Sequence, residues 1–315
     1  QFASFAENGT LPNMIFGGNA ENRDTSDAPL WLFAACRDLS RVEKSDTFLK
    51  SPLSNGKTLL ETLVSLAEGI LAGTPNGIRA DSESMLVFSP SHFTWMDTNY
   101  PAATPRQGYP VEIQALWFAA LQFLSEALPK AAAAVWKERA EKTAESIRKH
   151  FLLSGKNYLS DCLHCNPGTP PGKAVPSDHL RPNQLFTITL GAVPPQSPLA
   201  AGILDACATL LVPGAIRSLA DRPVHYPLPV LDTNGQLLND PVHPYWGTYE
   251  GDEDTRRKPA YHNGTAWTWQ FPAFCEAFYM VYGEDGKATA RSLLSSMSIP
   301  MDAGCLCQIA EILDG

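Results

Sequence analysis

The 315-residue chain is short of charge, of long apolar runs and of any strongly basic segment. Asp, Glu, Lys and Arg together make up 18% of it, below the usual share of about a quarter. With 44% hydrophobic and 10% aromatic residues, it is nonetheless far from the composition of a disordered protein. No run of about 18 apolar residues occurs, so no transmembrane helix is predicted and a membrane partner is not expected. The opening stretch, QFASFAENGTLPN, lacks a basic region followed by an apolar one, so no signal peptide is read and a cytoplasmic location is expected. It also lacks a starting Met, as a processed chain or a fragment of a longer one would. The net charge of −9 argues against nucleic acid and anionic surfaces as partners and suits a neutral substrate.

Cysteine is present without a framework. The count is seven, an odd number. Cys36, Cys207 and Cys275 sit among Ala, Leu and Phe and read as small buried hydrophobes in a reducing compartment. Cys162, His164 and Cys165 in DCLHC resemble half of a zinc site. No second CxxC or HxxxH follows at a matching spacing, and Cys305 and Cys307 stand too close together for a typical ligand pair. No metal and no cofactor is expected.

What is there is mostly helical, and a chain of this length holds one large domain or two ordinary ones. Segments starting at Ala28, Val111 and Ala266 are apolar nearly all round and must be enclosed by protein on most sides. They alternate with amphipathic segments. From Ala131 to Phe151, Trp136, Ala140, Ala144, Ile147 and Phe151 share one face, with Lys137, Glu138, Glu141, Lys142, Glu145 and Arg148 opposite. A second amphipathic stretch starts at Thr58, and a further apolar-then-milder pair covers 182–190 and 200–211. Pro29, Pro110 and Pro182 stand at or just before first turns, and Ser26 and Asp27 can cap the first helix. Inner apolar helices covered by outer amphipathic ones are what an all-α toroid of helix pairs requires, with a generic helical bundle or solenoid as the plain alternative. A solenoid would show a fixed repeat, and none is seen. Short strands are predicted near 84–88 and 225–231.

Glycoside hydrolysis without a cofactor needs two carboxyl groups, one protonated and one ionised, among aromatic surfaces that fit a sugar ring. The stretch SHFTWMDTNYPAATPRQGYPVEIQALW, from Ser91, is the richest candidate. Phe93, Trp95 and Met96 before Asp97 form an expected apolar collar that would favour its acid form. Arg106 and Glu112 suit either an ion pair fixing the loop or contact with a sugar. Glu250, Asp252 and Asp254 read mainly as a solvated loop. The NGT triplets at Asn8 and Asn263 match the glycosylation pattern and, without an export signal, are read as unmodified.

TWMDTNYPAATPRQGYPVEIQALW resembles the signature of the amylo-α-1,6-glucosidase domain of glycogen debranching enzymes. It departs at Thr98, where Ala is common, and at Tyr109, where Lys is common. GTLPN followed by TSDAPLWLFAA, LRPNQLFTITL, YEGDEDTRRKPAYHNGTAWTWQFPAF and GCLCQIAEILDG resemble further segments of that family in its own order, so the matches span nearly the whole chain. The resemblance implies an (α/α)6 toroid, of which fewer helix pairs are visible than the six a closed one needs, as a single glucosidase domain over 1–315, a piece of a longer chain, that removes α-1,6-linked glucose from branched α-glucans with inversion. It implies Asp97 as catalytic acid and Glu311 as base, with Asp314 a nearby competitor, and a carboxyl separation of about 6.5–9.5 Å. Asp27, Trp31, Trp95, Arg106, Glu112, Gln114, Asn183, Gln184, His262 and Trp267 are the expected substrate contacts. Of Trp267 and Trp269, two residues apart, one is expected in the core, and Trp267 is preferred for the site. Another α-glucoside exo-hydrolase on the same toroid, or a non-catalytic glycan-binding relative, remain the competing readings.

Overall fold

The computed structural model describes residues 1–299, 301 and 307–315; Cys305 lies outside the described residues. These residues form eight α-helices with short strands between them, and no described helix is long and apolar enough to cross a membrane. The chain divides into two compact units.

The first unit comprises Gln1–Trp95, Arg106–His150 and His164–Ala174. Its α1 (Ala28–Glu43) is capped by Thr25, whose hydroxyl accepts the Ala28 N–H at 3.2 Å and donates to the Asp27 carboxylate at 2.6 Å. Ser26, an expected cap, is drawn away: its hydroxyl pairs with that of Ser89 at 2.8 Å and its N–H donates to the Phe93 carbonyl at 2.6 Å. Helix α2 (Leu59–Ala72) begins with a capping box between Thr58 and Glu61, which satisfies two otherwise orphaned donors. Helix α3 (Val111–Ala127) is buried on most sides, from Val111 to Leu124, as its lack of a polar face requires. It packs against α1 and α2. Helix α4 (Lys130–Phe151) buries the predicted stripe of Trp136, Ala140, Ala144, Ile147 and Phe151 and exposes its charged face. Strand β1 (Arg79–Ala80) pairs antiparallel with β2 (Val87–Phe88), within the predicted strand region. Ser89 and Gly108, at the start of β3 (Gly108–Pro110), exchange backbone hydrogen bonds of 2.7 and 3.1 Å.

The second unit comprises Met96–Pro105, Phe151–Leu163 and Val175–Gly315. The short strands β4 (Cys162–His164) and β5 (Val175–Pro176) precede a 3-10 turn at Pro182–Gln184 and α5 (Leu185–Thr189). Helix α6 (Pro198–Ala208) is capped by Ser197, which accepts the Ala200 N–H. Both α5 and α6 pack on α8 (Phe271–Ser295), which breaks at Gly283, where φ is 59° and ψ −142°. An antiparallel sheet runs in the order β6 (Leu211–Val212), β7 (Ala215–Arg217), β8 (Ala266–Trp267), β9 (Ile312–Leu313). The one-turn helix α7 (Lys258–Tyr261) precedes β8.

Two sequence expectations change here. The apolar run from Ala266 opens as strand β8 and becomes helical only at Phe271, because Ala266 and Trp267 pair with β7 and β9. The IAEILDG end supplies β9, with Ala266 opposite Leu313 and Trp267 opposite Ile312. No strand forms over 225–231. Pro227 and Pro229 have no N–H for a ladder, and the Val230 N–H goes to the side chain of Asn239 at 2.9 Å.

Candidate active site

In the second unit, the segment carrying Asp97 is extended, and its burial alternates. Met96 and Thr98 are buried while Asp97 is exposed. Alternate residues of an extended chain face opposite ways, so Met96 leaves the expected collar. It is fully buried and its sulfur accepts from Asn183 Nδ2 at 3.2 Å. Thr98 Oγ1 shares a 2.6 Å hydrogen bond with His262 Nδ1. The loop is held further on by Thr104 Oγ1 donating to the Met96 carbonyl at 3.1 Å and by Asn263 Nδ2 donating to the Ala103 carbonyl at 3.0 Å.

Arg181 organises the residues behind this loop. Its guanidinium is buried and donates to the carbonyls of Ser218 and His262 and to Asn263 Oδ1, with Asp161 3.6 Å away. Asn183 and Gln184 are correspondingly internal. The Asn183 amide donates to Asp161 Oδ1 at 2.8 Å and accepts from Gln270 at 2.9 Å. Gln184 accepts the Leu159 N–H and donates to the Arg181 carbonyl. Both side chains hold protein groups from within the core, a packing role in place of the expected contact with sugar hydroxyls. The Asn263 amide is equally enclosed, which leaves no space for a glycan.

Glu311 is exposed, immediately before β9. Its carbonyl accepts the Thr268 N–H at 3.2 Å, and Thr268 Oγ1 bonds the Ala310 carbonyl at 2.7 Å. Its carboxylate accepts a 2.6 Å hydrogen bond from the Tyr261 hydroxyl. Burial, that hydrogen bond and the charges of Glu311, Tyr249 and Asp97 push the Tyr261 phenol well above its ordinary pKa. Asp97 and Glu311 thus belong to one unit, and of the two it is Glu311 that is bonded to this phenol. Tyr261 is absent from the expected site residues; its place directly before His262 in the YHNGTAWTW stretch is the available signal. Asp314, the competing carboxylate, accepts the Tyr249 N–H at 2.9 Å.

His262 and Trp267 are both buried and stack, with ring centroids 4.9 Å apart at 12°. Trp267 Nε1 donates to the Tyr261 carbonyl at 2.9 Å. The choice between the two tryptophans is inverted: Trp267 is 4% exposed, whereas Trp269 is 38% exposed and stacks on Phe186 at 5.7 Å. The reason is that Trp267 belongs to a strand in the middle of a sheet. The acidic loop around Asp252 is exposed and internally paired, through Arg257 and Lys258 with Glu253 and Lys258 with Asp254.

The first unit holds the remaining predicted residues. Burial raises the pKa of Asp27 against hydrogen bonds from Thr25 and from backbone N–H groups including that of Trp95. The TSD segment and the loop ending at Trp95 are thereby joined. Trp31 and Trp95 are both partly exposed. Arg106 and Glu112 form a buried bidentate pair, at 2.5 and 2.7 Å, and Arg106 also donates to Thr94 Oγ1 at 3.0 Å. Of the two readings of this pair, loop fixation is the one it makes. Gln114 is fully buried and its amide bonds the backbone of Val87 and Pro110, so it too fixes backbone instead of facing a sugar. Among the described residues, no three His, Cys, Asp or Glu side chains are grouped to hold a metal ion.

The fold belongs to a class of helical domain found among glycoside hydrolases. A rhamnosidase from Klebsiella oxytoca with rhamnose bound shares it over 99% of this chain and 46% of that chain, with a TM-score of 0.54 and 12% identity. A glycosidase variant in complex with glucose shares it over 91% of this chain and 57% of that one, with a TM-score of 0.50 and 12% identity. The chain thus spans about half the length of these structures, and at such identity the likeness concerns fold. No curated protein matches. The family model for amylo-alpha-1,6-glucosidase matches residues 1–234 and 235–315. The chain belongs to the amylo-alpha-1,6-glucosidase family, and with it to the glycoside hydrolases.

Proposed function

We propose that the chain is an inverting α-1,6-glucosidase that releases side-chain glucose from branched α-glucans in the cytoplasm, on an (α/α)6 toroid forming one glucosidase domain of a longer protein. Asp97 donates its proton to the glycosidic oxygen as the bond to glucose C1 breaks. A water attacks C1 from the opposite ring face and gives its proton to Glu311, so the sugar leaves with inverted configuration. In the second unit, His262, Trp267, Asn183 and Gln184 keep the loop that carries Asp97 in place. In the first unit, Arg106, Glu112 and Gln114 fix the loop before α3, and Asp27, Trp31 and Trp95 are its proposed sugar contacts. One observation carries the reading: the Tyr261 hydroxyl donates to the Glu311 carboxylate at 2.6 Å in the unit that also carries Asp97, distant from both in sequence.

The test is glucose release from glucosyl-cyclodextrin, compared with maltose and trehalose. Asp97→Asn is expected to lower kcat about 10²–10⁴-fold with its circular dichroism and melting unchanged. The first product seen by NMR should be β-glucose. Full activity in Asp97→Asn would remove the assignment, and faster hydrolysis of maltose or trehalose would favour a different exo-hydrolase.

A further inference from the structure

We propose that Tyr261 is a positioning residue for Glu311: its hydroxyl holds one carboxylate oxygen and leaves the other directed at the attacking water. The inference rests on reading Glu311 as the base. The backbone of Glu311 is fixed by Thr268 and by β9, but its side chain is exposed and has three rotatable bonds. A general base works only within hydrogen-bond reach of the proton it takes, so an untethered carboxylate would spend much of its time out of line.

Tyr261 supplies the tether. Its hydrogen bond to Glu311 Oε2 is 2.6 Å long, within the range of charge-assisted O–H···O⁻ bonds. Tyr261 is itself immobilised. Its carbonyl accepts from Trp267 Nε1 at 2.9 Å and from Thr265 Oγ1 at 2.6 Å. Its ring lies 4.7 Å from His262, 4.8 Å from Trp267 and 5.5 Å from Tyr249. Burial and the surrounding negative charge keep the phenol protonated, so it acts toward Glu311 only as a donor and carries no proton in the reaction.

Tyr261→Phe keeps the ring and removes the tether. With glucosyl-cyclodextrin as probe, kcat is expected to fall about ten- to a hundredfold, the range set by one hydrogen bond to a charged group, with KM within about twofold. Replacing Tyr261 with 3-fluorotyrosine, a stronger donor of the same shape, should keep kcat near wild type and gives a second readout if the Phe variant folds poorly. Wild-type kcat in Tyr261→Phe would overturn the proposal, as would a loss carried by a raised KM at unchanged kcat, which would make Tyr261 a substrate contact instead. Glu311→Gln, measured alongside, separates the two levels. If it retains activity, the reading of Glu311 as base fails; if it is inactive while Tyr261→Phe is normal, only the tether fails.

Discussion

Replacing Glu112 with Leu tests how the loop before α3 is held. Arg106 and Glu112 have side chains 4% and 2% exposed, joined by two hydrogen bonds. Water cannot take the place of the missing carboxylate without opening the core. Leu is somewhat larger than Glu, so no cavity opens, and the loss of charge dominates the change. The Arg106 guanidinium would keep the Thr94 hydroxyl but lose its bidentate counter-charge. Removing one partner of a buried pair costs about 3–5 kcal/mol. An unfolding entropy of about 2.1 cal/mol/K per residue over a cooperative chain of this length converts that to a Tm fall of roughly 5–8 °C. Differential scanning calorimetry with matched urea titrations measures both. Arg106→Met combined with Glu112→Leu should recover most of the loss, because neither charge then remains unpaired. The pair also pins Thr94, near Asp97 in sequence, so Glu112→Leu should lower kcat along with Tm. A fall of less than about 1 kcal/mol, the value of a solvated surface pair, would refute the claim that this pair is sealed. So would a double variant no more stable than the single one.

Two further stability predictions follow from particular contacts. Burial alone would raise the pKa of Asp178, but hydrogen bonds from the His225 and Tyr226 N–H groups and the His225 ring outweigh it and hold the carboxyl at about 2. Its stabilisation is therefore present above the ordinary value of 3.8 and lost as pH falls through about 2. Because His225 is fully exposed, the discounted effect is about 1 kcal/mol. Asp178→Asn should lose that amount at neutral pH and much less at pH 2, where the carboxylate is half protonated, in urea titrations. Gly69→Ala should destabilise although Ala is the better helix former: a Cβ there would lie 2.4 Å from Gly9 Cα, and Gly9 is itself at φ +82°. The expected loss is about 1–3 kcal/mol, read as a lower urea midpoint, and a raised midpoint would contradict this close approach.

The helices and part of the site were legible in the sequence for different reasons. The α4 stripe and the Thr58–Glu61 box depend on neighbours three or four residues apart, and such local patterns hold whatever the rest of the chain does. Arg106–Glu112 could be foreseen as a pair, since its members are close in sequence. Its sealing could not, because burial is a tertiary property. Ala266–Trp267 misled because an apolar run reads equally well as a buried helix or a central strand. The partner that decides the matter, β9, is far along the chain. The same pairing inverted the choice between Trp267 and Trp269, since a strand in the middle of a sheet encloses the residue that pairs and leaves the one beyond it near the surface. Asn183, Gln184 and Gln114 are expected sugar contacts on the resemblance, and their amides bond buried protein groups. Amides in loops serve equally as hydrogen-bonding packing for buried backbone, and only the partner atoms distinguish the two uses.

Tyr261 marks the limit most clearly. A Tyr before a His in an aromatic-rich stretch reads as core, and three sides of its ring do pack as core, on Tyr249, His262 and Trp267. Its hydroxyl has a different role because β9 brings Glu311 beside it. The same sheet that sets the backbone position of Glu311 also encloses Trp267, whose indole clamps the Tyr261 carbonyl. One strand pairing thus places the carboxylate, its donor and the group that immobilises the donor. A change that loosened β9 should therefore lower kcat with KM little changed, as is expected of Tyr261→Phe, and should also lower the melting temperature, which Tyr261→Phe should leave nearly unchanged.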